Sequence, residues 1–145
     1  MARPTHILVA TDGSDPAGRA VRLAAEIAGA TEADMTILTV GHELSPHELR
    51  QLMYAEGDGG AAVDTLAEEL LAAAKAEAKS SGAAEVQTVT VWGDPAEVIL
   101  DYARTGEVDL LVLGRRGRGR LTALLLGSVS QKLVSLAPCA VMIVP

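Results

Sequence analysis

The residues best suited to chemistry lie in one stretch, Gly114-Arg115-Arg116-Gly117-Arg118-Gly119-Arg120, followed after a short apolar run by Gly127-Ser128-Val129-Ser130. Gly114 and Gly117 let a backbone turn sharply and come close to a ligand. Gly127 and Ser128 stand where a helix can begin, and the first amides of a helix carry no internal partner and sit at its positive end. Such a terminus favours a phosphate. The hydroxyls of Ser128 and Ser130 add donors, and the arginines add positive charge at the mouth. Together they suit a polyphosphate. The stretch is not a Walker loop, because no GxxxxGK[ST] occurs in the chain. It is not the dinucleotide fingerprint either, because Thr122 stands where GxGxxG needs its third glycine. A second candidate is the acidic turn Asp12-Gly13-Ser14, directly after the first apolar run.

The elements that must position these residues alternate between short β-type runs and longer helical ones. His6–Ala10, Met35–Val40, Val86–Val91, Asp109–Leu113 and Ala140–Val144 read as strands. Val86–Val91 is mixed in polarity, as expected nearer a sheet edge. Helices are predicted after Asp15, which is expected to cap the first with Pro16 at its first position. Further helices are predicted along Val63–Ala78, after Asp94-Pro95, and from Ser128. The segment 41–60 is the least regular and reads as an insertion loop with a helical turn inside a single domain. Strict βα alternation implies an α/β domain of residues 1–145, with a five-stranded parallel sheet and helices on both faces. In such a sheet ligands bind beyond the carboxyl ends of the strands, where strand order reverses.

Bulk properties narrow the function classes. The 145 residues suit one domain, 49% are apolar, and aromatic residues make up only 2%, so the core must be built from Ala, Val, Leu and Ile. A net charge of −7 disfavours DNA and anionic membranes as partners. Four of the 12 basic residues nevertheless cluster at Arg115, Arg116, Arg118 and Arg120, a local patch suited to a small anion. The single cysteine excludes an internal disulfide, and no run approaches the about 20 apolar residues of a membrane span. A cytoplasmic location is expected, with neither nucleic acid nor membrane as a partner.

Several features read as structural. His42, Glu43, His47 and Glu48 hint at a metal site, but the two histidines are separated by Pro46 and do not share a helix face. Cys139 has no basic neighbour in sequence to lower its pKa and reads as an inert thiol. Trp92, beside Gly93, reads as a packing residue. Asp12 can act as a turn cap or as one wall of a ligand crevice.

The spacing Gly114-x2-Gly117-x9-Gly127-Ser128 resembles the nucleotide-binding signature of universal stress proteins, G-x2-G-x9-G-[ST], with each fixed position met. The opening ILVATDGSDPAGRAV, the stretch Gly93-Asp-Pro-Ala-Glu-Val-Ile, the strand DLLVLG and the ending Ala137-Pro-Cys-Ala-Val-Met-Ile-Val are similar to the same family. The likeness spans nearly the whole chain except 41–60. Ala140 departs from it, where the family often has proline. The resemblance implies a Rossmann-like, adenine nucleotide alpha hydrolase-like sheet whose first and fourth strands are adjacent. It also implies ATP as ligand, with Mg or Mn. Asp12 and Val40 would lie near the adenosine moiety. Gly114, Gly117, Gly127, Ser128, Val129 and Ser130 would hold ribose and phosphates, flanked by Arg115 and Arg116.

These readings give a nucleotide-dependent sensor or regulatory domain. Slow ATP hydrolysis is the enzymatic alternative, although no evident base or P-loop lysine accompanies the glycines, so no catalytic residue is named. An interaction module without nucleotide is the third reading. The uncharged strand Ala140–Val144 is expected to pair with a second copy, giving a homodimer, a contact that the resemblance also implies.

Overall fold

His6–Ala10, Asp34–Gly41, Val86–Trp92, Leu110–Gly114 and Ala140–Val144 form strands β1 to β5. β1 and β4 have no charged side chain and are buried through their centres, as strands covered on both faces must be. The computed structural model describes residues 3–41, 59–115 and 127–145, with the side chains of 59–65 left aside. The sheet is parallel, in the order β3-β2-β1-β4-β5. β3 is an edge strand, as its mixed polarity predicts, and β5 is the other edge. β1 and β4 are neighbours, with Ala10 opposite Leu113 as their last pair.

Helices α1 (Asp15–Thr31), α2 (Gly59–Ser80), α3 (Pro95–Thr105) and α4 (Ser128–Leu136) connect the strands. Side chains alternate across each strand, so the core divides into two clusters. Ile7, Val9, Met35, Ile37 and Val112 meet the alanine-rich face of α1 and Leu71 and Ala78 of α2. Leu8, Leu38, Leu111 and Leu113 meet Ile99, Leu100 and Ala103 of α3 and Leu133 of α4. Small alanines let α1 lie close to the sheet in place of the aromatic bulk that this sequence lacks.

The helix starts are set by caps. Ser14, not the expected Asp15, is the N-cap of α1, and its side chain accepts from the amide of Ala17. Asp15 then begins the helix with Pro16 behind it. Serine at that position has the extended backbone that a cap requires (φ −71°, ψ 164°), while Asp15 already winds as helix. Asp94 caps α3 through the amide of Glu97. α2 starts at Gly59, earlier than the apolar periodicity indicates, and β2 runs on to Gly41, so both ends of segment 41–60 are regular. Residues 42–58, including the His42–Glu48 motif, lie outside the described residues. Asp109 precedes β4 rather than opening it. Its carboxylate accepts from the amide and hydroxyl of Thr5 (2.8 and 2.9 Å) and from the amide of His6 (3.2 Å), binding the starts of β1 and β4 together.

Trp92 ends β3 opposite Gly41, and its ring lies directly against that glycine, which offers no side chain in the way. The indole is 51% exposed, so it packs with one part of its surface and leaves the rest to solvent.

Candidate functional site

At the carboxyl edge of the sheet, β1 is followed by α1 on one face, and β4 is followed in chain order by α4 on the other. This is the strand-order reversal expected of a ligand crevice.

The β1 wall is tightly hydrogen bonded. The amide of Thr11 donates to the carbonyl of Leu38, and Thr39 Oγ1 donates to the carbonyl of Thr11 (both 2.9 Å). Thr11 Oγ1 accepts from the amide of Gly13 (3.2 Å), and Asp12 Oδ1 accepts from the amide of Ser14 (2.9 Å). Gly13 has φ +80°, a left-handed conformation that glycine adopts without steric cost. Asp12 is half-buried and shapes this turn, so the structural role open to it in sequence is one it fulfils. Thr11 and Thr39 were not singled out by the sequence reading. Both are buried, and the period of two along β1 and β2 places them on one sheet face.

On the β4 wall, Gly114 is required by packing. A Cβ there would sit 2.8 Å from the amide nitrogen of Ala17 and 2.9 Å from the carbonyl carbon of Pro16. The glycine thus admits the first turn of α1 against the end of β4. Beyond it, the amide of Arg115 donates to the carbonyl of Val144 (2.6 Å), and its carbonyl accepts from the amide of Gly127 (3.2 Å). Ser130 is 6% exposed, and its hydroxyl donates to the carbonyl of Gly114 (3.2 Å). Residues 115 and 127 are therefore joined directly. Arg116 and Gly117, with the remaining arginines of the run, lie outside the described residues.

α4 begins differently from α1 and α3. Its N-cap is Gly127, which provides no side-chain hydrogen bond to the first turn. Ser128 is exposed, while Val129 is half-buried and packs on the α3–α4 side of the sheet. Val40 is also half-buried on that side, as is Ala10, a position that the alternation of β1 makes predictable. The structure therefore brings together Gly114, Arg115, Gly127 and Ser130 by hydrogen bonds. It sets Ser128 and Val129 in the adjoining helical turn, and places Asp12 and Val40 at the ends of the two neighbouring strands.

Two described groups with displaced pKa values lie away from this edge. Asp109 and Cys139 come just before β4 and β5, at the sheet's amino edge.

The model of the universal stress protein family matches residues 4–145. Universal stress protein YxiE of Bacillus subtilis is 34% identical over 147 residues, covering 95% of this chain and 97% of the relative. Among solved structures, a universal stress protein in complex with cAMP is 30% identical with a TM-score of 0.73, covering 99% of this chain and 98% of its own. Universal stress protein UspA from Lactobacillus plantarum is 29% identical with a TM-score of 0.75, covering both chains completely. With a family model matched from the residue before Thr5 to the last residue, and relatives aligned over nearly their full lengths, this chain belongs to the universal stress protein family.

Proposed function

We propose that this chain is an ATP-binding regulatory domain, with the nucleotide held between the Asp12 turn and the start of α4. The observation that carries the reading is the glycine N-cap of α4. Ser14 and Asp94 cap α1 and α3 with their own side chains, whereas Gly127 leaves the first-turn amides of Ser128, Val129 and Ser130 without such a cap at the strand-order reversal. Amides placed so are donors for phosphate oxygens, with the helix dipole favouring the same charge. The half-buried apolar group of Ala10, Val40 and Val129 suits a base or ribose face beside them. The relative of similar length in complex with cAMP supports an adenine nucleotide as the ligand class.

Gly117 completes the signature in sequence, and it is assigned to the phosphates with the flanking Arg115 and Arg116. No group of three or more His, Cys, Asp or Glu among the described residues could hold a metal ion. Mg2+ or Mn2+ would enter with the phosphates, as magnesium does when phosphates and water supply most of its shell. The chain acts as a sensor whose nucleotide-bound state is read by a partner, in the cytoplasm and as a homodimer through Ala140–Val144. No described helix is long and apolar enough to cross a membrane.

Calorimetric titration with ATP, ADP, AMP and cAMP, each with and without Mg2+, tests the reading. Saturable 1:1 binding of ATP that is lost in Gly127→Asp is expected, because the new carboxylate would cap the helix and repel the phosphates. No heat of binding at millimolar nucleotide with metal present would overturn it.

A further inference from the structure

Ser130 lies two residues past the end of the glycine signature, and its hydroxyl is already engaged with nearly all of its surface covered. The backbone explains why it is needed there. The peptide unit between Gly114 and Arg115 turns its N–H toward β5, where it donates to the carbonyl of Val144. All described peptide bonds are trans, so the carbonyl of Gly114 points the opposite way, toward β1. Pairing of β1 with β4 has ended one residue earlier, at Ala10 and Leu113. The carbonyl thus emerges where the two strands part, beyond the last donor of the ladder. Ser130 reaches it from the third helical position of α4.

We infer that Ser130 is a positioning residue: it fastens the first turn of α4 to the end of β4 and so aims the amides of Ser128, Val129 and Ser130 at the phosphates. This rests on the nucleotide reading above and assigns the buried hydroxyl of Ser130 to the frame of the site rather than to the ligand. The bond between the Arg115 carbonyl and the Gly127 amide is the second fastening of the same turn. With Ser130 removed, that bond is the remaining hydrogen bond among the described residues that ties the helix start to the end of β4. The carbonyl of Gly114 is then left without its hydroxyl partner, and the turn is free to shift from its aim.

Two measurements on the full chain test this. The first needs no ligand: amide hydrogen exchange of the peptide containing Gln131–Leu133, whose first amide donates to the carbonyl of Gly127. Exchange there should quicken about tenfold in Ser130→Ala, with the α3 peptides unchanged. Ser130→Thr, which keeps the hydroxyl, should restore the wild-type rate; Ser130→Cys provides a second replacement if the extra methyl is not accommodated. The second is calorimetric titration with ATP and with adenosine. Ser130→Ala should lose about tenfold in affinity for ATP and less than about twofold for adenosine. Unchanged exchange with weakened ATP binding would make Ser130 a direct ligand contact and overturn the inference. Equal losses for ATP and adenosine would overturn it as well, since they would mark a general weakening of the fold. If the wild-type chain bound no nucleotide, the nucleotide reading would fail separately, while the exchange result would still decide whether Ser130 holds the turn.

Discussion

A methyl group at position 114 has nowhere to go, because the first turn of α1 already occupies the space beside it. Gly114→Ala must push helix and strand apart, and the conflict is with backbone atoms that cannot rotate away. A loss of about 1–3 kcal/mol of stability is expected from such overpacking, measurable by urea denaturation. A wild-type midpoint would show that the turn yields easily. Cys139 illustrates the opposite situation, a reactive group made quiet by its surroundings. Burial pushes its thiol up and the Asp109 carboxylate adds to the effect, against a smaller opposing contribution from a backbone hydrogen bond at Leu111. The thiolate is the reacting form, so iodoacetamide should modify Cys139 more slowly than free cysteine at pH 8. Faster modification, followed by mass spectrometry, would contradict the raised pKa.

At the scale of elements, the two sheet edges and the two strand ends behave differently. The amino ends of β1 and β4 are fastened by Asp109. Burial tends to raise its pKa, but hydrogen bonds from Thr5 and His6 outweigh this and hold it below the usual carboxylate value. A folded-state pKa below the unfolded one means a contribution that is complete above the unfolded pKa and is lost as pH falls through the folded value. Asp109→Asn should therefore lower the urea midpoint at pH 6 and flatten its decline below about pH 4. The effect should be modest, because the carboxylate is only half-buried and its interactions are partly screened by water. A mutant with the wild-type acid slope would exclude Asp109 from the acid response.

The β5 edge carries the proposed dimer contact. The carbonyl of Val144 faces β4, where it accepts from the Arg115 amide, so by alternation Val141 and Ile143 turn their amides outward. Val141→Pro removes an outward donor without breaking the ladder to β4, a change that edge strands tolerate. Light scattering should show a dimer for the wild type and a monomer for this variant. A wild-type monomer at micromolar concentration would remove β5 as an interface.

For the molecule as a whole, a ligand that binds only the folded chain must stabilise it by mass action. ATP at a hundredfold excess over its Kd adds about 2.7 kcal/mol, or about 5–10 °C in Tm for a chain of this size. A melting temperature that ignores ATP would contradict the proposed function. Much of this fold was legible in the sequence, because buried parallel strands and alanine-rich helices have distinct periods and the strands fall in strict alternation with them. The adjacency of β1 and β4 was reached through family likeness, since no local pattern encodes which strands pair across a sheet. What escaped the sequence depended on fine geometry or distant neighbours. Ser14 rather than Asp15 caps α1 because a single residue's backbone angles decide the matter. The packing of Pro16 and Ala17 against Gly114 escapes the sequence as well, since those residues lie far away along the chain. The bond from Ser130 to Gly114 escapes the sequence because its acceptor, one carbonyl past the end of a ladder, becomes visible only when the strands are aligned.

The single tryptophan of the chain lies against Gly41, half-open to water at the carboxyl end of the sheet. The protein thereby carries one native indole, whose emission, excited at the red edge where the two tyrosines do not absorb, reports on one known location without labelling. Its spectrum should be that of a partly hydrated indole, readily quenched by acrylamide, and any event that covers or uncovers the β2–β3 corner will register as a change in colour and quenching from that one ring.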